Sequence, residues 1–206
     1  GLLPPGFPSY QKGLNDEYQG YDPEKAKSLL EAAGYPGGKG FPVVTLWHKT
    51  YEPSLPKTAQ IVQQMLKQNL GITVELKPAT TKFFHSSLVE GLIDFGVHNW
   101  QYEYLDPSNF LTIFVPELGR HKDWNDSEYN RLIKAANASP NQAERLSMYT
   151  HADSLISRDY AASFLYHMGN AQMWKPYIKG IPMTDLGTQN VVYYFLGMHK
   201  IYKAGK

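Results

Sequence analysis

Between residues 43 and 97 the apolar pattern alternates between the strand repeat and the helix repeat, and that alternation leaves few folds open. Residues 43–47 read as a strand. Residues 58–70 place Ile61, Val62, Met65, Leu66 and Leu70 at helical spacing, and Gly71 supplies a stop. In residues 72–76, Ile72, Val74 and Leu76 alternate with Thr73 and Glu75. Residues 81–90 form a shorter helical pattern carrying Phe83, Phe84 and Leu88, and a third strand opens at Ile93. Strand, helix, strand, helix, strand with right-handed crossovers predicts an α/β fold, a mixed, largely parallel sheet flanked by helices.

The flanks add helices. Asp22 is a suitable N-cap and Pro23 a suitable first helical residue, with Ala26, Leu29, Leu30 and Ala33 as the inward face and Gly34 as the stop. Pro107 can start a short helix through Phe114, and Ser127 can cap another through Ala136, with Leu132, Ile133 and Ala136 inward. Residues 141–157 read as a longer helix burying Ala143, Leu146, Tyr149 and Leu155, and residues 161–174 read either as extended structure, with Phe164, Leu165 and Tyr166 strand-like, or as a further helix. Residues 1–20 are rich in Pro and Gly and predict an extended connector.

The third strand runs straight into an aromatic and acidic cluster, Trp100, Tyr102, Glu103, Tyr104 and Asp106. In sheets fed by helices, ligands gather beyond the carboxyl ends of the strands. Rings bury area and a carboxylate neutralises a cation, so the cluster suits binding better than bond-breaking. Trp100 reads either as a wall for a ligand or as a core ring at a strand end. Glu103 reads either as the anchor for a ligand cation or as a solvated carboxylate. Tyr102 and Tyr104 share a face opposite Glu103 if the backbone stays extended. Asp106 before Pro107 is a turn and cap device. Arg120, in the basic run with His121 and Lys122, reads as a solvated loop residue or as a partner for a ligand carboxylate.

Other chemistries find little support. With no cysteine among 206 residues, disulfides, thiolate metal sites and cysteine nucleophiles are excluded. The seven histidines form no helical i, i+4 pair, so neither a metal nor another cofactor is expected. A net charge of +1 gives no reason to expect nucleic acid as partner. No hydrolase or phosphate-loop motif is present, and no enzyme activity is expected. The alternative of a glycan-acting hydrolase rests on Glu103 as acid or base beside Asp106. No signal-peptide pattern opens the chain, and its proline-rich start predicts a piece of a longer protein.

One resemblance ties these features together. The run YDPEKAKSLLEAAGYPGG, then Leu70-Gly71-Ile72-Thr73-Val74-Glu75-Leu76, Gly91 with Asp94-Phe95, Trp100 with Tyr104 and Asp106-Pro107, and Glu144-Arg145 occur in that order. Together they resemble the C-terminal lobe of the extracytoplasmic solute-binding proteins, family 5, of bacterial ABC importers. The resemblance implies a type II periplasmic-binding-protein lobe: residues 1–20 as a hinge-side connector, 21–190 as the lobe, and 191–206 as the segment returning toward an N-terminal lobe. It implies a monomer outside the cytoplasm, periplasmic or lipid-anchored. Such a protein closes over a peptide or small-molecule ligand by hinge motion and delivers it to a membrane permease. It also implies Trp100, Tyr102, Glu103, Tyr104 and Arg120 as ligand-binding residues, with Glu103 standing where relatives usually carry the aspartate that pairs with a peptide's α-ammonium. Oligopeptide is the implied cargo; oligosaccharides and metal chelates are cargo for the same family.

Overall fold

The computed structural model describes residues 1–118, 121, 124–169, 173–179 and 202–203. They fall into two compact units. One, the sheet unit, comprises Gly20–Trp100 and Ile113–Asn125; the other, the helical unit, comprises Gly1–Gln19, Gln101–Thr112 and Asp126–Lys206.

In the sheet unit, three strands run parallel in the order β2-β1-β3, with β1 at Val44–Lys49, β2 at Val74–Ala79 and β3 at Gly96–Val97. β1 pairs with β2 from Val44↔Val74 to Lys49↔Ala79, and with β3 only at Trp47↔Gly96 and His48↔Val97. Successive strand residues face opposite sides, so Leu46 and Trp47 serve different cores. Leu46, Val74 and Val97 pack with Leu55 and Ala59 of α3, Ser54–Leu70. Trp47 packs against Ala79, Ile93 and the Phe84 and Leu88 side chains of α4, Thr81–Val89. The sheet is thus flanked by helices on both faces.

Local chemistry sets the helix ends. Asp22 Oδ1 accepts from Lys25 N at 2.9 Å and caps α2, Pro23–Ala32, with Pro23 in the first turn as expected. Leu29, however, is exposed rather than inward. α3 begins at Ser54, a turn before the expected Thr58, because a first turn has no intrahelical use for its N–H groups and tolerates Pro56. That extra turn sets the buried face on Leu55 and Ala59 with Val62, Leu66 and Leu70, and leaves the expected inward residues Ile61 and Met65 exposed.

Gly71 ends α3 with φ 71°, and a Cβ there would stand 2.2 Å from the carbonyl oxygen of Gly37. Both the backbone twist and the close approach require glycine. Gly71→Ala should therefore destabilise the sheet unit by about 2 kcal/mol, read as faster amide exchange across α3. Exchange at the wild-type rate would show that the turn at residues 36–38 shifts away at no cost.

The third strand is shorter than its alternation predicts. Phe95 O still accepts from Trp47 N at 3.0 Å, but residues 89–95 turn tightly, with Leu92 N donating to Ser87 O at 2.8 Å. Ile93 is drawn into the α4 cluster instead of the ladder.

In the helical unit, residues 1–19 are not an extended connector. Two tight turns, Phe7 N to Pro4 O and Tyr10 N to Phe7 O, and the short helix α1, Asp16–Gln19, fold the segment. Apolar side chains drive this: Leu3 and Phe7 are buried, and Phe7 meets Tyr102 and Phe110 edge-on at 5.0 and 5.2 Å. α5, Ser108–Leu111, follows Pro107 as expected and continues as a 3-10 turn through Phe114. α6, Ser127–Ala138, is capped by Asp126 rather than Ser127, and buries Leu132, Ile133 and Ala136. α7, Gln142–Arg158, is capped by Asn141 and buries Tyr149 and Leu155, while Ala143 is exposed. Residues 162–169 are irregular, and Ile178–Lys179 (β4) pairs antiparallel with Tyr202–Lys203 (β5).

Candidate ligand-binding segment

The chain leaves β3 at Val97, the carboxyl end of the parallel sheet, and the next residues hold the rings. His98 stacks on buried Phe84 with ring centroids 5.6 Å apart and planes 10° from parallel. Trp100, half-buried, lies 6.4 Å beyond His98 at 28°. His85 and His121 approach the same imidazole at 5.6 and 6.2 Å, and His121 stacks on Phe114 at 4.5 Å. The gathering of three imidazoles is invisible in the chain order because α4, the end of β3 and a distant loop each contribute one. Among the described residues no group of three or more His, Asp or Glu could hold a metal ion.

Residues 101–106 belong to the helical unit. Tyr102 is buried among the Phe7 and Phe110 rings, whereas Glu103 and Tyr104 are both exposed. The two tyrosines therefore do not share a face: the backbone bends after Tyr102, where Glu103 N donates to Asn109 Oδ1 at 3.3 Å and Asp106 N to Tyr104 O at 2.9 Å. Tyr102 sits with core rings and Tyr104 reaches Ser108 Oγ at 3.4 Å. Arg120 lies outside the described residues.

Asp106 is a turn and cap residue, as expected, and something more. Its Oδ1 accepts from Ser108 N at 2.9 Å, and its two oxygens take the Arg145 fork at 2.6 and 2.7 Å. Burial alone would raise this carboxyl's pKa, but the hydrogen bonds from Arg145 and Ser108 outweigh it and hold the group below its ordinary range. An ionised, fully engaged carboxylate has no proton to give, so Asp106 itself does not supply the acid of a glycosidase.

These segments have known counterparts. Residues 1–120 match the family described as bacterial extracellular solute-binding proteins, family 5, middle. The periplasmic murein peptide-binding protein MppA of Escherichia coli is 30% identical over 162 residues, covering 78% of this chain and 30% of its own length. Heme-binding protein A of Haemophilus influenzae is 29% identical over 196 residues, 90% of this chain and 34% of that protein. The solved structure of MppA in its unliganded open form superposes with a TM-score of 0.69 at 27% identity, over 88% of this chain and 34% of that one. This chain spans about a third of the length of the curated relatives it matches. The α/β fold read from the sequence is the periplasmic-binding-protein fold of these neighbours. With more than half its length matched by the family and a solved relative superposing over 88% of it, the chain belongs to the family 5 bacterial extracellular solute-binding proteins.

Proposed function

We propose that this chain is a ligand-binding lobe of an ABC importer's substrate-binding protein, acting outside the cytoplasm, with oligopeptides as cargo. The observation that carries the reading is a half-buried tryptophan released at the carboxyl end of a parallel sheet in a chain of this family. The lobe recognises without chemistry: Trp100 gives sequence-tolerant contact, and exposed Glu103, with Tyr104 beside it, neutralises a ligand cation. The parent protein is a monomer that closes on its ligand by hinge motion and hands it to a membrane permease. Arg120 serves as the partner for a ligand carboxylate.

Native mass spectrometry of the full-length protein, purified without denaturation, tests the cargo: co-purified peptides are expected, and a uniformly non-peptide cargo would refute the reading. For the residues, Glu103→Gln should weaken binding of an unmodified tripeptide about tenfold, the loss of one charge-assisted hydrogen bond. Trp100→Ala should weaken it by a similar factor. Unchanged affinity in both, measured by calorimetry, would remove the segment from the site.

A second reading, a planar metal chelate, is favoured by the imidazoles of His85, His98 and His121 gathered among Phe84, Phe114 and Trp100, and by the likeness to a heme-binding protein. A chelate brings its own ligand cage and asks mainly for flat rings, so it does not need a protein metal cluster. Absorbance of the co-purified material in the visible range separates this cargo from peptide.

A further inference from the structure

β1 ends in an expensive residue. Lys49 is 4% exposed, and lysine is almost never buried to that degree without partners. Its Nζ donates to Asn99 Oδ1 at 2.9 Å and to Glu52 Oε1 at 3.2 Å, while Asn99 Nδ2 donates to the other Glu52 oxygen. The three side chains close a ring in which every pair is bonded. The Asn99 amide suits the third position because it offers an acceptor to the cation and a donor to the anion from one terminus. The cation and anion together fix which way that amide faces. Stability gives little reason for such a ring, since an apolar side chain of similar volume would serve the end of a strand as well.

Position supplies the reason. The ladder between β1 and β3 stops at His48↔Val97, two residues short of Asn99. Lys49 belongs to β1, Glu52 to the turn before α3, and Asn99 is one peptide bond from Trp100. We infer that Lys49, Glu52 and Asn99 form a positioning lock that takes over where the strand ladder ends and holds Trp100 in the orientation used for ligand contact. The inference rests on the ligand-binding reading of Trp100. The lock touches no ligand itself; it acts by pre-organising the ring, so that less ordering remains to be done on binding.

Two readouts on the full-length protein test it. With 5-fluorotryptophan incorporated and Trp100→Phe used for assignment, the Trp100 fluorine resonance should shift and broaden in Asn99→Ala and in the isosteric Glu52→Gln, while those of Trp124 and Trp174 stay in place. A Trp100 resonance unchanged in both variants would overturn the lock. So would collapse of every tryptophan resonance in Glu52→Gln, since the ring would then be holding the fold rather than the tryptophan. The second readout is tri-alanine affinity by calorimetry: Asn99→Ala should weaken binding about tenfold alone, and not at all in a Trp100→Phe background. Equal losses in both backgrounds would overturn the mechanism. If the wild-type protein does not bind tri-alanine, it is the peptide reading that fails, and the fluorine spectra alone decide the lock.

Discussion

Phe84→Ala should destabilise the sheet unit by about 3–5 kcal/mol, the usual cost of emptying a buried phenylalanine site. Phe84 is 1% exposed and sits among Ala79, Leu88 and Ile93. The site cannot collapse easily. Gly96 of β3 already lies so close that a Cβ there would stand 3.2 Å from the Phe84 ring and 3.0 Å from Ile93. The removed ring is also the surface on which His98 stacks, and His98 in turn underlies Trp100. One substitution should therefore do two things: lower the protection of α4 and β3 amides against hydrogen exchange, and loosen the segment that carries Trp100. Exchange should be measured peptide by peptide in the full-length protein, because a multidomain chain has no single unfolding free energy. A loss below about 1 kcal/mol would mean that the cluster packs loosely, contrary to its burial. Phe84→Leu, which keeps most of the volume, should cost much less.

The fold was legible wherever a local rule acts without help from the rest of the chain. Asp22 with Pro23 marks a helix start in any context, and so does Asn141, which bonds Ala143 N and Glu144 N. Ile72 and Val74 are buried because a helix-stopping glycine turns the chain back into the core under α3 just before β2 begins at Val74. The misread faces are those where a tertiary choice overrides a local period. Counting α3 from Thr58 omits Leu55, and the face that remains points to Ile61 and Met65; the missing turn was hidden behind two prolines that a first turn accepts. Ile93 has the right spacing for a strand, yet α4 needed an apolar plug and took it.

The site was legible in one dimension only. That Trp100 emerges at the end of a strand follows from alternation and topology. That Tyr102 and Tyr104 part company does not, because it depends on Phe7 and Phe110, each distant in sequence or set on another element, reaching one of the two rings. The gathering of His85, His98 and His121, and the ring formed by Lys49, Glu52 and Asn99, are of the same kind. Each joins residues from a strand end, a turn or helix and a loop, and no spacing in one dimension encodes it. A buried lysine at a strand terminus is the nearest thing to a signal, and it becomes one only once burial is known.

Arg145→Leu should cost the helical unit about 2 kcal/mol at neutral pH, between the values for exposed and fully buried ion pairs because this pair is part-buried. The guanidinium binds both oxygens of Asp106 and also donates to Tyr149 Oη at 3.0 Å, and Tyr149 Oη donates on to Asn137 Oδ1 at 2.6 Å. Removing it strands a carboxylate whose side chain is only 24% exposed and leaves a phenol in the α6–α7 interface with half its network. The leucine fills the volume but satisfies none of these groups. The cost should depend on pH, and the sign follows from Asp106. Burial would raise its pKa, yet Arg145 and Ser108 together lower it below the ordinary value. Its stabilising contribution is therefore complete above the unfolded-state pKa of about 4 and disappears as pH falls through the lower native value. Protection of α6 and α7 amides against hydrogen exchange, compared peptide by peptide in the wild-type and Arg145→Leu full-length proteins, should differ most at about pH 7, and the gap should close as pH falls through the lowered native value, where Asp106 gains its proton and no longer needs the cation. A gap that stays constant over that range would assign the loss to packing of the arginine stem against Tyr149, whose ring lies 4.9 Å from the guanidinium carbon, and not to the ion pair.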